Sequence, residues 1–127
     1  MSRVVFDASA ILAAVNREPG ADLVVRYTES SLVSTVNLAE VQGKLVTRGI
    51  SPDDAWEAAL SLCNEVVPFD SHQARLTGAL LATTKTFGLS LGDRACLALA
   101  ILLKAPVYTT DRLWKRLSLG VEIRLLR

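Results

Sequence analysis

Apolar positions along the chain fall into two patterns: short β-branched or aromatic runs, and longer stretches with helical spacing. Val4-Val5-Phe6 reads as a buried strand, and Leu32-Val33-Ser34, Val66-Val67-Pro68-Phe69 and Val107-Tyr108-Thr109 read as further short strands. Pro68 puts the third near a sheet edge, because proline donates nothing to a ladder. Val121 to Leu125 alternates apolar with charged residues, as a half-exposed edge strand does. Helical segments lie between. One opens at Ala8 to Leu12, and after a loop around Asn16 to Gly20 another covers Ala21 to Glu29. A third opens at Asn37 and stops near Arg48-Gly49, with glycine at the expected position. Ser51-Pro52-Asp53-Asp54 starts a fourth, which runs to about Asn64: serine cap, proline first, acid third. A fifth reaches from Asp70 to about Phe87-Gly88, and Arg112 to Leu117 forms a short basic helix.

The stretch from Leu89 to Asp111 organises the rest. Ala95 to Leu103 is unbroken apolar sequence, which predicts a helix buried on all sides. Ala105-Pro106 ends it, since proline biases its predecessor away from helix. Asp93 then lies near the start of this helix and Asp111 just past the following strand. Strands alternating with helices predict a three-layer α/β fold with a mostly parallel sheet. With no repeat or linker, residues 1–127 are expected to form a single domain.

Composition narrows the function. A net charge of +1 argues against a globally basic nucleic-acid binder. Ten of the fourteen cations are arginine, the residue suited to phosphate and carboxylate forks. Half the residues are apolar, more than a small domain needs, which points to an apolar partner surface. Cys63 and Cys96 sit in apolar helical settings and read as reduced thiols; without a CxxC pair, a zinc ribbon or thioredoxin-type site is excluded. No signal peptide precedes the first strand and no apolar run is long enough for a bilayer, so a cytoplasmic protein with no membrane partner is expected.

Four acids stand apart: Asp7, Glu40, Asp93 and Asp111, each beside an apolar element at a turn. Helix capping is the plain alternative. Asp7 fits an N-cap, and Asn37-x-x-Glu40 and Ser90-x-x-Asp93 fit capping boxes. Asp7 and Asp111, however, each trail a buried strand and should emerge at one sheet edge. Four converging carboxylates would take up protons unless a cation were present. Oxygen ligands without histidine or cysteine favour Mg²⁺ or Mn²⁺, whose natural substrate is a phosphate ester. His72, alone at a helix start, reads as a surface residue.

Strand-Asp7-x-Ser9, Asn37-Leu38-Ala39-Glu40-Val41, Gly92-Asp93 before an alanine-rich helix, and Val107-Tyr108-Thr109-Thr110-Asp111 together resemble the PIN-domain ribonucleases. The likeness is greatest to the VapC-type toxins of toxin–antitoxin modules and covers nearly the whole chain. It implies a PIN-like three-layer fold with helices on both faces of the sheet. It implies a metal site at Asp7, Glu40, Asp93 and Asp111, with hydroxyl support from Ser9 and Thr110, whose plain alternative is a local turn or cap hydroxyl. Asn37 is a further supporting residue or a helix cap.

The implied activity is metal-assisted hydrolysis of RNA, leaving 5′-phosphate and 3′-hydroxyl ends. Cations must guide the RNA backbone, and Arg112, Lys115 and Arg116 are the first candidates, with Arg94 another. Their alternative is a solvated helix face with an Asp111–Lys115 pair. A receiver domain would want adjacent acids after the first strand, and a dehalogenase-like phosphatase a second aspartate at position 9. A catalytically inactive PIN-like binding module would have lost acids that this chain keeps. The resemblance also implies a homodimer and a cognate antitoxin, for which Leu23, Val24, Leu45 and Val46 are candidate groove residues, with ordinary core packing the favoured alternative for any one of them.

Overall fold

In the computed structural model, which describes residues 2–127, every strand runs parallel to its neighbours. The strands are β1 (Val4–Phe6), β2 (Ser31–Ser34), β3 (Glu65–Val67), β4 (Val107–Thr109) and β5 (Ile123–Leu125), in the order β3-β2-β1-β4-β5. The two strands expected at edges, β3 and β5, are there. The helices are α1 (Ala8–Val15), α2 (Ala21–Tyr27), α3 (Thr35–Thr47), α4 (Pro52–Leu60), α5 (Ser71–Ala79), α6 (Leu81–Thr84) and α7 (Leu91–Leu103).

The period of two along β1 divides the core. Val4 and Phe6 pack with Ile11, Val24, Leu38, Val41 and Leu45 on one face. Val5 packs with Leu97, Leu99 and Trp114 on the other. Helices therefore cover both faces, as a parallel sheet requires. Register sets Val5 beside both Leu32 and Val107, and Phe6 beside Tyr108. The chain winds outward from β1 through β2 to β3, then crosses back to β4 and β5. The crevice between the carboxyl ends of β1 and β4 is thus the topological switch point, where α/β sheets bind ligands.

Several boundaries differ from the expected ones for local reasons. α3 starts at Thr35, because Ser34 caps it by accepting from the Val36 N–H at 3.2 Å. The segment after Asp70 breaks at Leu80, whose carbonyl accepts from the Thr84 hydroxyl at 2.8 Å; such local bonds compete with helix propagation. α2 and α4 stop at Tyr27 and Leu60, and Arg112–Arg116 is a 3₁₀ turn. α7 is buried all round from Ala95 to Ala100, but Leu102 is exposed and Ile101 and Leu103 are half-buried. Val24 and Leu45 belong to the core and are not free to line a partner groove; Leu23 is half-buried, and of the four only Val46 is exposed. Cys63 and Cys96 are free thiols. Among the described residues no single helix is long and apolar enough to cross a membrane.

Candidate active site

A cleft of about 530 Å³ opens at the switch point, lined by Asp7, Ala8, Ser9, Glu40, Lys44, Ser90, Asp93, Thr110 and Asp111. All four singled-out acids reach it from different elements. Asp7 follows β1, Asp111 follows β4, Glu40 lies in the second turn of α3, and Asp93 is the third residue of α7.

Asp7 is buried and fully engaged. Its Oδ1 accepts from the Ser9 hydroxyl at 2.7 Å and the Ala10 N–H at 2.8 Å. Its Oδ2 accepts from the Thr109 hydroxyl at 2.6 Å. The same hydroxyls brace β4: the Thr110 N–H donates to Ser9 Oγ at 3.0 Å and the Asp111 N–H to Thr109 Oγ1 at 3.1 Å. Burial nevertheless pushes the Asp7 carboxyl up to about 6, against the pull of its hydrogen bonds, and the Asp93 carboxylate adds a smaller push.

The other three acids each spend one oxygen locally. Glu40 Oε1 accepts from Asn37 Nδ2 at 2.8 Å, and the same amide donates to the Gly92 carbonyl at 3.0 Å. Asn37 is thus a strut between α3 and α7, not the cap of α3, and its buried Oδ1 has no hydrogen-bond partner among the described residues. A side chain at Gly92 would overlap the Glu40 carboxylate, so glycine makes room for it. Asp93 and Ser90 form the expected capping box, with Ser90 N–H to Asp93 Oδ2 at 3.0 Å and Asp93 N–H to Ser90 Oγ at 3.1 Å. Asp111 Oδ1 accepts from the Leu113 N–H at 3.0 Å. Asp93 therefore caps a helix and lines the cleft, so the two readings do not exclude each other.

The acids share the cleft but do not close on one point. Among the described residues no three acids, cysteines or histidines are grouped tightly enough to hold an ion as they stand. The donor set still suits a hard divalent cation: it is all carboxylate and hydroxyl oxygen. Glu40, Asp93 and Asp111 each keep a second oxygen without a hydrogen bond among the described residues. Beneath them, burial and the charges of Asp7, Asp93 and Glu40 push the Cys96 thiol well above its ordinary range.

The PIN domain family model matches residues 4–119. The chain belongs to that family. Solved structures share the fold of this PIN domain. A chain of the DNA-bound VapBC structure from Salmonella typhimurium superposes with a TM-score of 0.76, at 19% identity over 100% of both chains. For VapBC2 from Rickettsia felis, bound to a DNA fragment from its promoter, the TM-score is 0.72 at 18% identity, over 96% of this chain and 97% of that one. For VapBC-1 from nontypeable Haemophilus influenzae it is 0.69 at 17% identity, over 97% of each. At these identities the likeness is one of fold. No curated protein sequence matches the chain.

The PIN domain's cleft gathers Asp7, Ser9, Glu40, Asp93, Thr110 and Asp111, but not every expected residue. Arg112, Lys115 and Arg116 are exposed on the 3₁₀ turn outside the lining. No Asp111–Lys115 ion pair forms among the described residues. Arg94 points to α5, donating to the Thr77 carbonyl at 3.0 Å. His72 is exposed on α5. Thr109, and not Thr110, gives Asp7 its hydroxyl. The strand pattern held the clue: if Phe6 pairs with Tyr108, the next residues, Asp7 and Thr109, are neighbours. Lys44 was signalled by spacing alone, four residues after Glu40.

Proposed function

We propose that this PIN domain is a Mg²⁺- or Mn²⁺-dependent endoribonuclease and the toxin of a toxin–antitoxin pair. The observation that carries the reading is a cleft at the switch point lined by four carboxylates and no imidazole or thiolate. Asp7, Glu40, Asp93 and Asp111 would hold the metal, which when bound supplies an activated water and neutralises charge on the phosphate and leaving oxygen. Ser9 and Thr109 hold the Asp7 carboxylate in one orientation. Asn37 Nδ2 donates to Glu40, and the Ser90 N–H donates to Asp93, so each of these carboxylates has one oxygen anchored and one left for a metal. Thr110 contributes its backbone N–H to Ser9 rather than a hydroxyl to Asp7. Arg112, Lys115 and Arg116 are free to meet RNA phosphates beyond the cleft.

The antitoxin partner is supported by the family and by the toxin–antitoxin complexes that share the fold. Exposed Val25 on α2, Val46 on α3 and Ile50 in the loop that follows offer apolar surface for a partner or a second copy of the chain. The test is cleavage of structured RNA by the purified, partner-free protein. Cutting is expected with Mg²⁺ or Mn²⁺, and loss of cutting with EDTA or in Asp7→Asn. Undiminished cleavage in excess EDTA, or by the Asp7→Asn protein, would sink the reading.

A further inference from the structure

Lys44 is the one cation among the residues lining the acid cleft. It follows Glu40 by four residues on α3, so its stem leaves the helix one turn along on the same face. Leu38, Val41 and Leu45 are buried and fix the rotation of α3, which fixes the direction of Lys44. The side chain is exposed and makes no ion pair or hydrogen bond among the described residues. Glu40, its nearest helical acid, is held by Asn37 instead. The expected cations are elsewhere: Arg94 against α5, and Arg112, Lys115 and Arg116 outside the lining.

We propose that Lys44 is a substrate-positioning residue, its ammonium contacting a backbone phosphate of the RNA next to the scissile one. The proposal rests on the ribonuclease reading and adds to it the residue that admits the polyanion. Four carboxylates with one divalent ion still sum to a negative charge, so an entering RNA chain is repelled until a cation meets it. An ammonium with no internal partner can do this without neutralising a metal ligand. Its flexible stem suits a phosphate as a point charge, with no planar fork required.

The rival role is damping of the Glu40 charge, which would act on the metal and not on RNA. The test compares wild type, Lys44→Ala and Lys44→Arg, with urea unfolding confirming that the exposed substitutions leave the fold intact. Equilibrium binding of a fluorescein-labelled single-stranded RNA of mixed sequence is measured across a salt series, Mn²⁺ binding by calorimetry, and cleavage as KM and kcat. Lys44→Ala is expected to weaken RNA binding and raise KM by about tenfold. It should lower the salt slope by about one phosphate contact, with a much smaller change in kcat and in Mn²⁺ affinity. Lys44→Arg should restore most of the binding. Unchanged RNA affinity and slope in Lys44→Ala would overturn the proposal, as would a change in Mn²⁺ affinity that accounts for the whole effect. Should wild type bind RNA but not cut it, the nuclease reading fails alone, and the binding comparison still decides Lys44. Should it bind no RNA, both fail.

Discussion

Thr109 donates its hydroxyl to Asp7 at 2.6 Å, tying the ends of two adjacent parallel strands that lie 102 residues apart in the chain. Removing it leaves a buried carboxylate oxygen without its partner, a loss of about 1–3 kcal/mol. Thr109→Val should therefore destabilise the metal-free protein by that amount, while Thr109→Ser, which keeps the hydroxyl, recovers most of it. Thr110→Val, whose hydroxyl gives Asp7 nothing, should stay within about 0.5 kcal/mol of wild type. Urea unfolding in EDTA measures all three. Equal losses at Thr109 and Thr110 would contradict the assignment.

Asp7 predicts an unusual pH dependence. Its folded pKa, about 6, lies above the ordinary 3.8, so the folded chain holds a proton that the unfolded chain has released. The sign follows: this group leaves stability greatest below about pH 4, lowers it between about pH 4 and 6, and is level above. The total is of order 3 kcal/mol. Asp7→Asn keeps a capping oxygen and removes the ionisation, with the Ser9 and Thr109 hydroxyls free to turn and accept from the amide. In EDTA the variant should match wild type near the acid end and exceed it in stability near pH 8. Urea unfolding across this pH range tests the difference; parallel curves would refute it. With Mn²⁺ present wild type should regain stability and the variant gain much less.

The period-two and helical patterns made the sheet, its edge strands and the layer order readable, because burial on two faces constrains every position of a short strand. Asp7 and Asp111 were placed by the same logic, since residues after parallel strands share an edge. What stayed hidden depended on contacts between distant segments. The Thr109–Asp7 bond needs the β1–β4 register, and the Asn37–Gly92 strut needs the α3–α7 crossing. Arg94 adjoins Asp93 in sequence, but successive helical residues point apart, and α5 takes it. The break at Leu80 was hidden because threonine hydroxyls bonding back to a carbonyl leave no mark on hydrophobic period.

Gly92 and Glu40 offer a separation of function from stability. A methyl group at position 92 would meet the carboxylate, the mobile end of the Glu40 side chain, and push it aside. Alanine also favours helix over glycine by up to about 1 kcal/mol. Gly92→Ala should therefore unfold within about 1 kcal/mol of wild type in EDTA. Glu40 would lose its bond to Asn37, Mn²⁺ binding would weaken, and RNA cleavage would fall steeply. Wild-type Mn²⁺ affinity in Gly92→Ala would show that Glu40 does not need this position.

Asp93 is both a capping residue and a lining carboxylate, and two substitutions separate the roles. Asp93→Asn keeps an oxygen to accept from the Ser90 N–H and removes the charge. Asp93→Ala removes both. In EDTA the asparagine variant should be at least as stable as wild type, because one of four carboxylates facing a common cleft is gone and the cap remains. The alanine variant should be less stable than the asparagine variant by about 1 kcal/mol, the worth of the lost cap. With Mn²⁺ the order changes: wild type gains stability in proportion to the logarithm of metal over Kd, and both variants gain much less. RNA cleavage should fall equally in both, since each lacks the charge. Urea unfolding with and without Mn²⁺, beside a cleavage assay, reads every arm. If Asp93→Asn gains as much from Mn²⁺ as wild type and still cuts RNA, Asp93 is only a cap, and the metal must be held without it.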